Sequence, residues 1–106
     1  MSISRSQVAH MVFFTLHDNS ATAQDKLVAA AKKYLTNHPG EVYFSAGVRG
    51  EEFQREVNDK TFDVSLHVVF DSKASHDLYQ EADRHNQFIA ESKSNWKAVR
   101  VFDSFV

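Results

Sequence analysis

The chain contains no cysteine, which excludes a disulfide framework and any thiolate chemistry. Proline and glycine are scarce, at one and three residues, so few long loops are expected. No stretch approaches the ~18 consecutive apolar residues that a membrane-spanning helix needs. Residues 1–7 carry one Arg and no apolar run, unlike a secretory signal. They read as an N-terminal tail, and a cytoplasmic address is expected. An excess of one charge is also lacking: the formal net charge is -2, and Lys32-Lys33 is the only adjacent basic pair. That pair falls in an amphipathic segment and reads as a solvated helix face. Neither a nucleic-acid nor a membrane partner is expected.

Apolar material is plentiful by contrast. In 106 residues, 42% are hydrophobic and nine are Phe, enough for one core. Residues 8–106 are therefore expected to form a single domain. Val8 to Leu16 reads as a strand. After a polar turn, Thr22 is expected to cap a helix, with Asp25 as its capping-box partner. Leu27, Ala31, Tyr34 and Leu35 share one face of that helix, and Pro39-Gly40 stops it. Val42 to Arg49 reads as a second strand with Gly47 as a candidate bulge. Residues 51–60 form a charged connection. Phe62 to Phe70 alternates strictly, with Phe62, Val64, Leu66, Val68 and Phe70 on one side. Ser72 is expected to cap the next helix, marked by Leu78, Tyr79, Phe88 and Ile89, with Asp83 restarting it as an N-cap. Ala98 to Val106 is the last strand.

The order is β-α-β-β-α-β, the split βαβ pattern of a ferredoxin-like α+β fold. Right-handed crossovers place both helices on one face of the sheet. If His10, Val12, Phe14 and Leu16 face the helices, the opposite face carries Ala9, Met11, Phe13, Tyr43, Val69 and Phe102. A patch of that kind, several hundred Å² in extent, exceeds what monomers usually expose. A homodimer that covers the open sheet face is therefore expected.

Six His residues, at positions 10, 17, 38, 67, 76 and 85, raise the question of a metal. No two lie three to five residues apart and HExxH is absent, so no metal and no cofactor are expected. His17, His38 and His76 read as solvated. Gly47 to Gly50 is too short for a phosphate loop, and no GxSxG elbow occurs. Parity is more informative. Asp103 shares a side with Val99, Val101 and Phe105, and His10 sits on an apolar face. An unpartnered polar group there costs several kcal/mol, on the order of 2–7, so partners are expected from a pocket between sheet and helices. Tyr79 and His85 lie 120° apart on an unbroken helix. A break near Ala82-Asp83 would let both turn inward.

These residues resemble a known family. His10-Met11-Val12-Phe13-Phe14 is similar to the opening strand of the stress-responsive dimeric α/β barrel (Dabb) domain. Phe70-Asp71-Ser72, Tyr79, His85 and Phe88 follow its F-[DE]-S…Y-x5-H-x2-F stretch, and Val101-Phe102-Asp103 resembles its final strand. The resemblance implies a ferredoxin-like fold and a dimer whose two sheets form a barrel. Many members are stress-induced proteins without a known reaction, and a plant member is a polyketide cyclase. It implies Tyr79, His85 and Asp103 as catalytic residues, with Asp103 orienting His85. His10, Phe14, Val64 and Phe88 would line a ligand site. The chain departs from the cyclase at Val64, where that enzyme has a His, and at Asp83, where the family usually has Pro. The expected function is binding of a small hydrophobic or phenolic ligand between sheet and helices, without an assigned reaction. The alternatives are a cofactor-free cyclase or lyase, and a cofactor-free monooxygenase. Phe14, Phe44 and Trp96 are large enough to fill the pocket.

Overall fold

The computed structural model describes residues 5–106. Residues 1–4 of the expected tail lie outside the described residues. Four strands and three α-helices follow in the order β1 (Val8–Leu16), α1 (Ala21–Tyr34), β2 (Glu41–Val48), β3 (Val64–Phe70), α2 (Lys73–Glu81), α3 (Asp83–Ser92) and β4 (Trp96–Phe105). A single 3-10 turn, Lys93–Asn95, leads into β4. The sheet order is β2-β3-β1-β4 with every neighbouring pair antiparallel, which is the ferredoxin-like arrangement.

Alternation decides the faces. β1 buries every second residue, from Val8 to Leu16, because strand side chains point alternately to opposite sides. Val12, Phe14 and Leu16 join Val64, Leu66, Val68 and Phe70 of β3. They meet Leu27, Ala31 and Leu35 from the first helical segment, Tyr79 from α2 and Phe88 from α3 in one buried cluster. Burying each large apolar side chain contributes about 1.5–3 kcal/mol.

Several local expectations are corrected. The α1 cap is Ser20, whose Oγ accepts from the Ala23 amide at 3.2 Å; Thr22 lies inside the helix. Ser72 does cap α2. Asp83 is not the N-cap of α3. Ala82 holds that position with an extended backbone (φ -64°, ψ 143°), and Asp83 starts the first turn, where a carboxylate favours the positive helix end. The sheet irregularity near β2 falls between Glu41 and Tyr43, not at Gly47. Phe62 precedes β3 and turns to the open side, its ring 5.0 Å from Phe13. The chain diverts there because Asp63 is drawn in to accept from the Leu16 amide at 2.8 Å. Leu78 is exposed rather than a core mark. Gly40 has φ +81°, and a side chain there would strike Ser75 and Asp71, so only glycine suits this turn.

The edge strand β4 lies beyond the helices' cover. Val99 and Val101 pair with Phe14 and Val12 on the helix side, yet remain 41% and 50% exposed. A cleft opens between this strand and the α2–α3 corner.

Candidate functional site

The corner at Ala82 builds the site. An unbroken helix would separate Tyr79 and His85 by 120° around its axis. The extended backbone at Ala82 ends α2 and re-aims α3, so the two rings approach to 4.8 Å edge to face. Tyr79 is 1% exposed. Its ring also packs against Phe70 (4.9 Å), His38 (5.0 Å) and His10 (5.9 Å).

The resulting cleft holds about 200 Å³ and is bounded by His10, Phe14, Tyr79, His85, Phe88 and Val101, among others. Phe14, Phe88 and Trp96 cluster along the wall, with tilted or edge-to-face rings 5.0–6.2 Å apart, and narrow the cleft without filling it. Phe44 packs against the core. A wider depression of about 390 Å³ runs between α1 and the end of α3. It has a solvated rim around Lys26, Glu91 and Asn95 and gathers no imidazole or phenol, so we place the site in the smaller cleft.

Three buried polar atoms of the described residues have no hydrogen-bond partner: the Tyr79 hydroxyl, His85 Nδ1 and Trp96 Nε1. All three residues border the cleft. Buried polar groups are nearly always satisfied, and leaving one unpaired costs about 1–3 kcal/mol. Burial and the nearby Glu41 charge push the Tyr79 phenol well above its ordinary pKa. It is therefore a hydrogen-bond donor at neutral pH, never a phenolate.

Asp103 and His10 face each other across the β4–β1 ladder, and His10 Nδ1 donates to Asp103 Oδ1 at 2.5 Å. The carboxylate thus holds His10, whereas the family resemblance had it hold His85. A carboxylate only accepts, so Nδ1 carries the hydrogen and Nε2 keeps its lone pair. Nε2 in turn meets the Gln80 amide nitrogen at 3.5 Å. Asp103 itself borders a neighbouring lobe with His76 and Lys73, and enters the cleft chemistry only through His10. Val64, expected as lining, lies in the core and does not border the cleft.

The expectation that His38 and His76 are solvated is also corrected. His38 is buried, with Nε2 2.8 Å from the Tyr34 carbonyl. It follows Asn37, whose backbone turns through φ +62°. His76 meets His10 edge to face at 5.0 Å. Gln80 was missed altogether. Positions 76, 79 and 80 share one helix face by their spacing of three and four, a signal the sequence did contain. His67 lies on the open face, beside Met11 and Ser65.

Burial lowers the pKa of both His10 and His85 below the ordinary 6.5. For His10, the opposing pull of Asp103 is outweighed. For His85, the neighbouring imidazoles add to the lowering. The unfolded chain therefore takes up protons before the folded one as pH falls. Stability from these groups is complete above the unfolded value and declines below it, until the folded imidazoles protonate too. The melting temperature is expected to fall between pH 7.5 and 6, and to fall less steeply in His85→Gln. Thermal melts by circular dichroism check both slopes.

The family model described as "Stress responsive A/B Barrel Domain" matches residues 8–106. This chain belongs to that family. Solved structures agree on the fold of this A/B barrel domain. A dimeric ferredoxin-like protein of unknown function from Thermobifida fusca superimposes with a TM-score of 0.78 at 12% identity, covering 100% of this chain and 96% of that one. A Dabb family protein from Mesorhizobium loti gives 0.74 at 19%, covering 93% and 95%. A hydroxynitrile lyase from Passiflora edulis gives 0.77 at 17%, covering 97% and 95%. No curated protein matches the sequence. Among the described residues, no helix is long and apolar enough to cross a membrane.

Proposed function

We propose that this A/B barrel domain binds a small, single-ring phenolic or similarly amphipathic molecule in the cleft between β4 and the α2–α3 corner. The observation that carries this reading is the pair of unsatisfied buried groups, the Tyr79 hydroxyl and His85 Nδ1, on residues that border a cleft walled mostly by apolar side chains, with His10 and Gln80 its other polar members. A ligand oxygen between them would accept from one and donate to the other. Drug-sized ligands occupy clefts of about 300–1,000 Å³; about 200 Å³ suits something smaller. The protein has one tryptophan, Trp96, and it borders the cleft. Titration with 4-propylphenol is expected to change Trp96 fluorescence saturably, and His85→Ala to weaken that binding about tenfold. A linear, unsaturable response, or one indifferent to His85→Ala, would count against the assignment.

One observation favours a second reading, proton transfer. The Asp103–His10 pair leaves His10 Nε2 as a neutral base whose protonated form the carboxylate would stabilise. A ketone seated with its oxygen toward the Tyr79 hydroxyl would give up a proton from the adjacent carbon to Nε2, while the phenol donates to the enolate oxygen. This is a chemistry for a cyclase or lyase, and a hydroxynitrile lyase shares the fold. Exchange of the α-hydrogens of a small ketone in D2O, followed by NMR, tests it. Asp103→Asn should slow the exchange; an unchanged rate removes the reading.

A second copy of the chain is proposed to cover the open sheet face. Tyr43 and Phe102 there are 56% and 51% exposed. Phe13, Phe62 and Phe102 cluster on that side with ring separations of 5.0–5.8 Å. The T. fusca neighbour is itself described as dimeric.

A further inference from the structure

We propose that His10 and His76 form a divalent transition-metal site, of the zinc type, at the mouth of the cleft. The site does not depend on the cleft binding a phenol. Sequence spacing disfavoured a metal, because the two rings come from β1 and α2 and share no helical motif. The fold brings them to a ring separation of 5.0 Å.

Each ring is held from behind by a carboxylate. His10 Nδ1 donates to Asp103 at 2.5 Å. His76 Nδ1 donates to Asp77 at 3.3 Å. A carboxylate behind an imidazole fixes its tautomer and leaves Nε2 as the lone-pair nitrogen, which is how metal-binding histidines are usually supported. Both Nε2 atoms converge on the same neighbour, the Gln80 amide nitrogen, at 3.5 and 3.4 Å. Ligand atoms around a tetrahedral ion with bonds of about 2.0–2.1 Å stand about 3.3 Å apart, close to those separations. A half-turn of the Gln80 amide would present its oxygen as the third ligand.

The surroundings suit such an ion. The donor atoms of His10, His76 and Asp103 all lie within 4.8 Å of one another. His10 is buried, whereas the Asp103 side chain is 44% exposed and can adjust. The adjoining lobe of about 190 Å³, bordered by Lys73, His76 and Asp103, leaves room for water on a fourth position. Lys73, which borders that lobe, is paired with Asp77 at 2.6 Å. Two imidazoles with an oxygen donor suit zinc, copper or nickel better than magnesium or calcium.

Calorimetric titration of the whole chain with zinc chloride tests this. One ion per chain with Kd below about 100 μM is expected. His76→Ala should weaken it at least tenfold, and Asp103→Asn by about 10- to 100-fold. His17→Ala, which removes an exposed histidine elsewhere, should change nothing. Circular dichroism confirms that each variant is folded. Should His76→Ala fail to fold, His76→Gln takes its place with the same expected loss. Absence of binding up to 1 mM would overturn the proposal, as would an affinity insensitive to the change at position 76. A loss that His17→Ala reproduces would show surface histidines alone at work and would overturn it too.

Discussion

Tyr79→Ala is expected to destabilise the domain by about 3–5 kcal/mol, whereas Tyr79→Phe is expected to leave it equally stable or up to about 1 kcal/mol more stable. The contrast follows from two features of one side chain. The ring is 1% exposed and touches Phe70 and three imidazoles, so deleting it opens a cavity at the centre of the site. The hydroxyl has no partner among the described residues, so removing it alone relieves a desolvation cost. The same Tyr79→Phe change should weaken binding of 4-propylphenol about tenfold, because the ligand loses its donor. Urea unfolding curves and the Trp96 titration measure the two effects separately. A core residue kept only for packing would lose no affinity on becoming Phe.

Phe102→Glu is expected to convert a dimer into a monomer while leaving the isolated fold intact. Phe102 lies on the edge strand and is about half exposed in the single chain, so a carboxylate there remains solvated before association. In a face-to-face pair it would be buried near its own copy, and a buried unpaired charge is among the most destabilising changes available to an interface. A rise of at least about a hundredfold in the dimer dissociation constant is expected. Analytical ultracentrifugation across a concentration series measures it, with far-ultraviolet circular dichroism confirming the fold. If Phe102→Glu sediments like the unaltered chain, the open face is not the interface.

Much of this architecture was legible because its signals are periodic. The alternation in β1 and in Val64–Phe70 settles two strands and their faces together, and the loss of helical phase between Tyr79 and His85 anticipates the break that the Ala82 backbone makes. Local competition was harder to resolve. Ser20 and Thr22 are both good caps, and two residues' difference at a helix start is not encoded by residue type alone. Register was not legible at all. Parity put His10 and Asp103 on the same side of the sheet, but nothing in either strand says that they stand directly opposite. That register gives Asp103 to His10. His38 and His76 were misplaced for a related reason: their burial depends on the Asn37–Gly40 turn and on how α2 lies over β1, and both are tertiary facts. The open cleft comes from a shortfall of cover, since the helices stop short of β4, and strand patterns carry no record of how far a helix extends sideways.

A ligand's oxygen is expected to fill the gap that the buried Tyr79 hydroxyl and His85 Nδ1 leave unpaired. A crystal structure of the protein grown with saturating 4-propylphenol tests it most directly. The phenol ring is expected between Phe88 and Val101, with its oxygen within about 3.2 Å of both atoms. A cleft closed over those two atoms, with the phenol bound elsewhere or not at all, would contradict it.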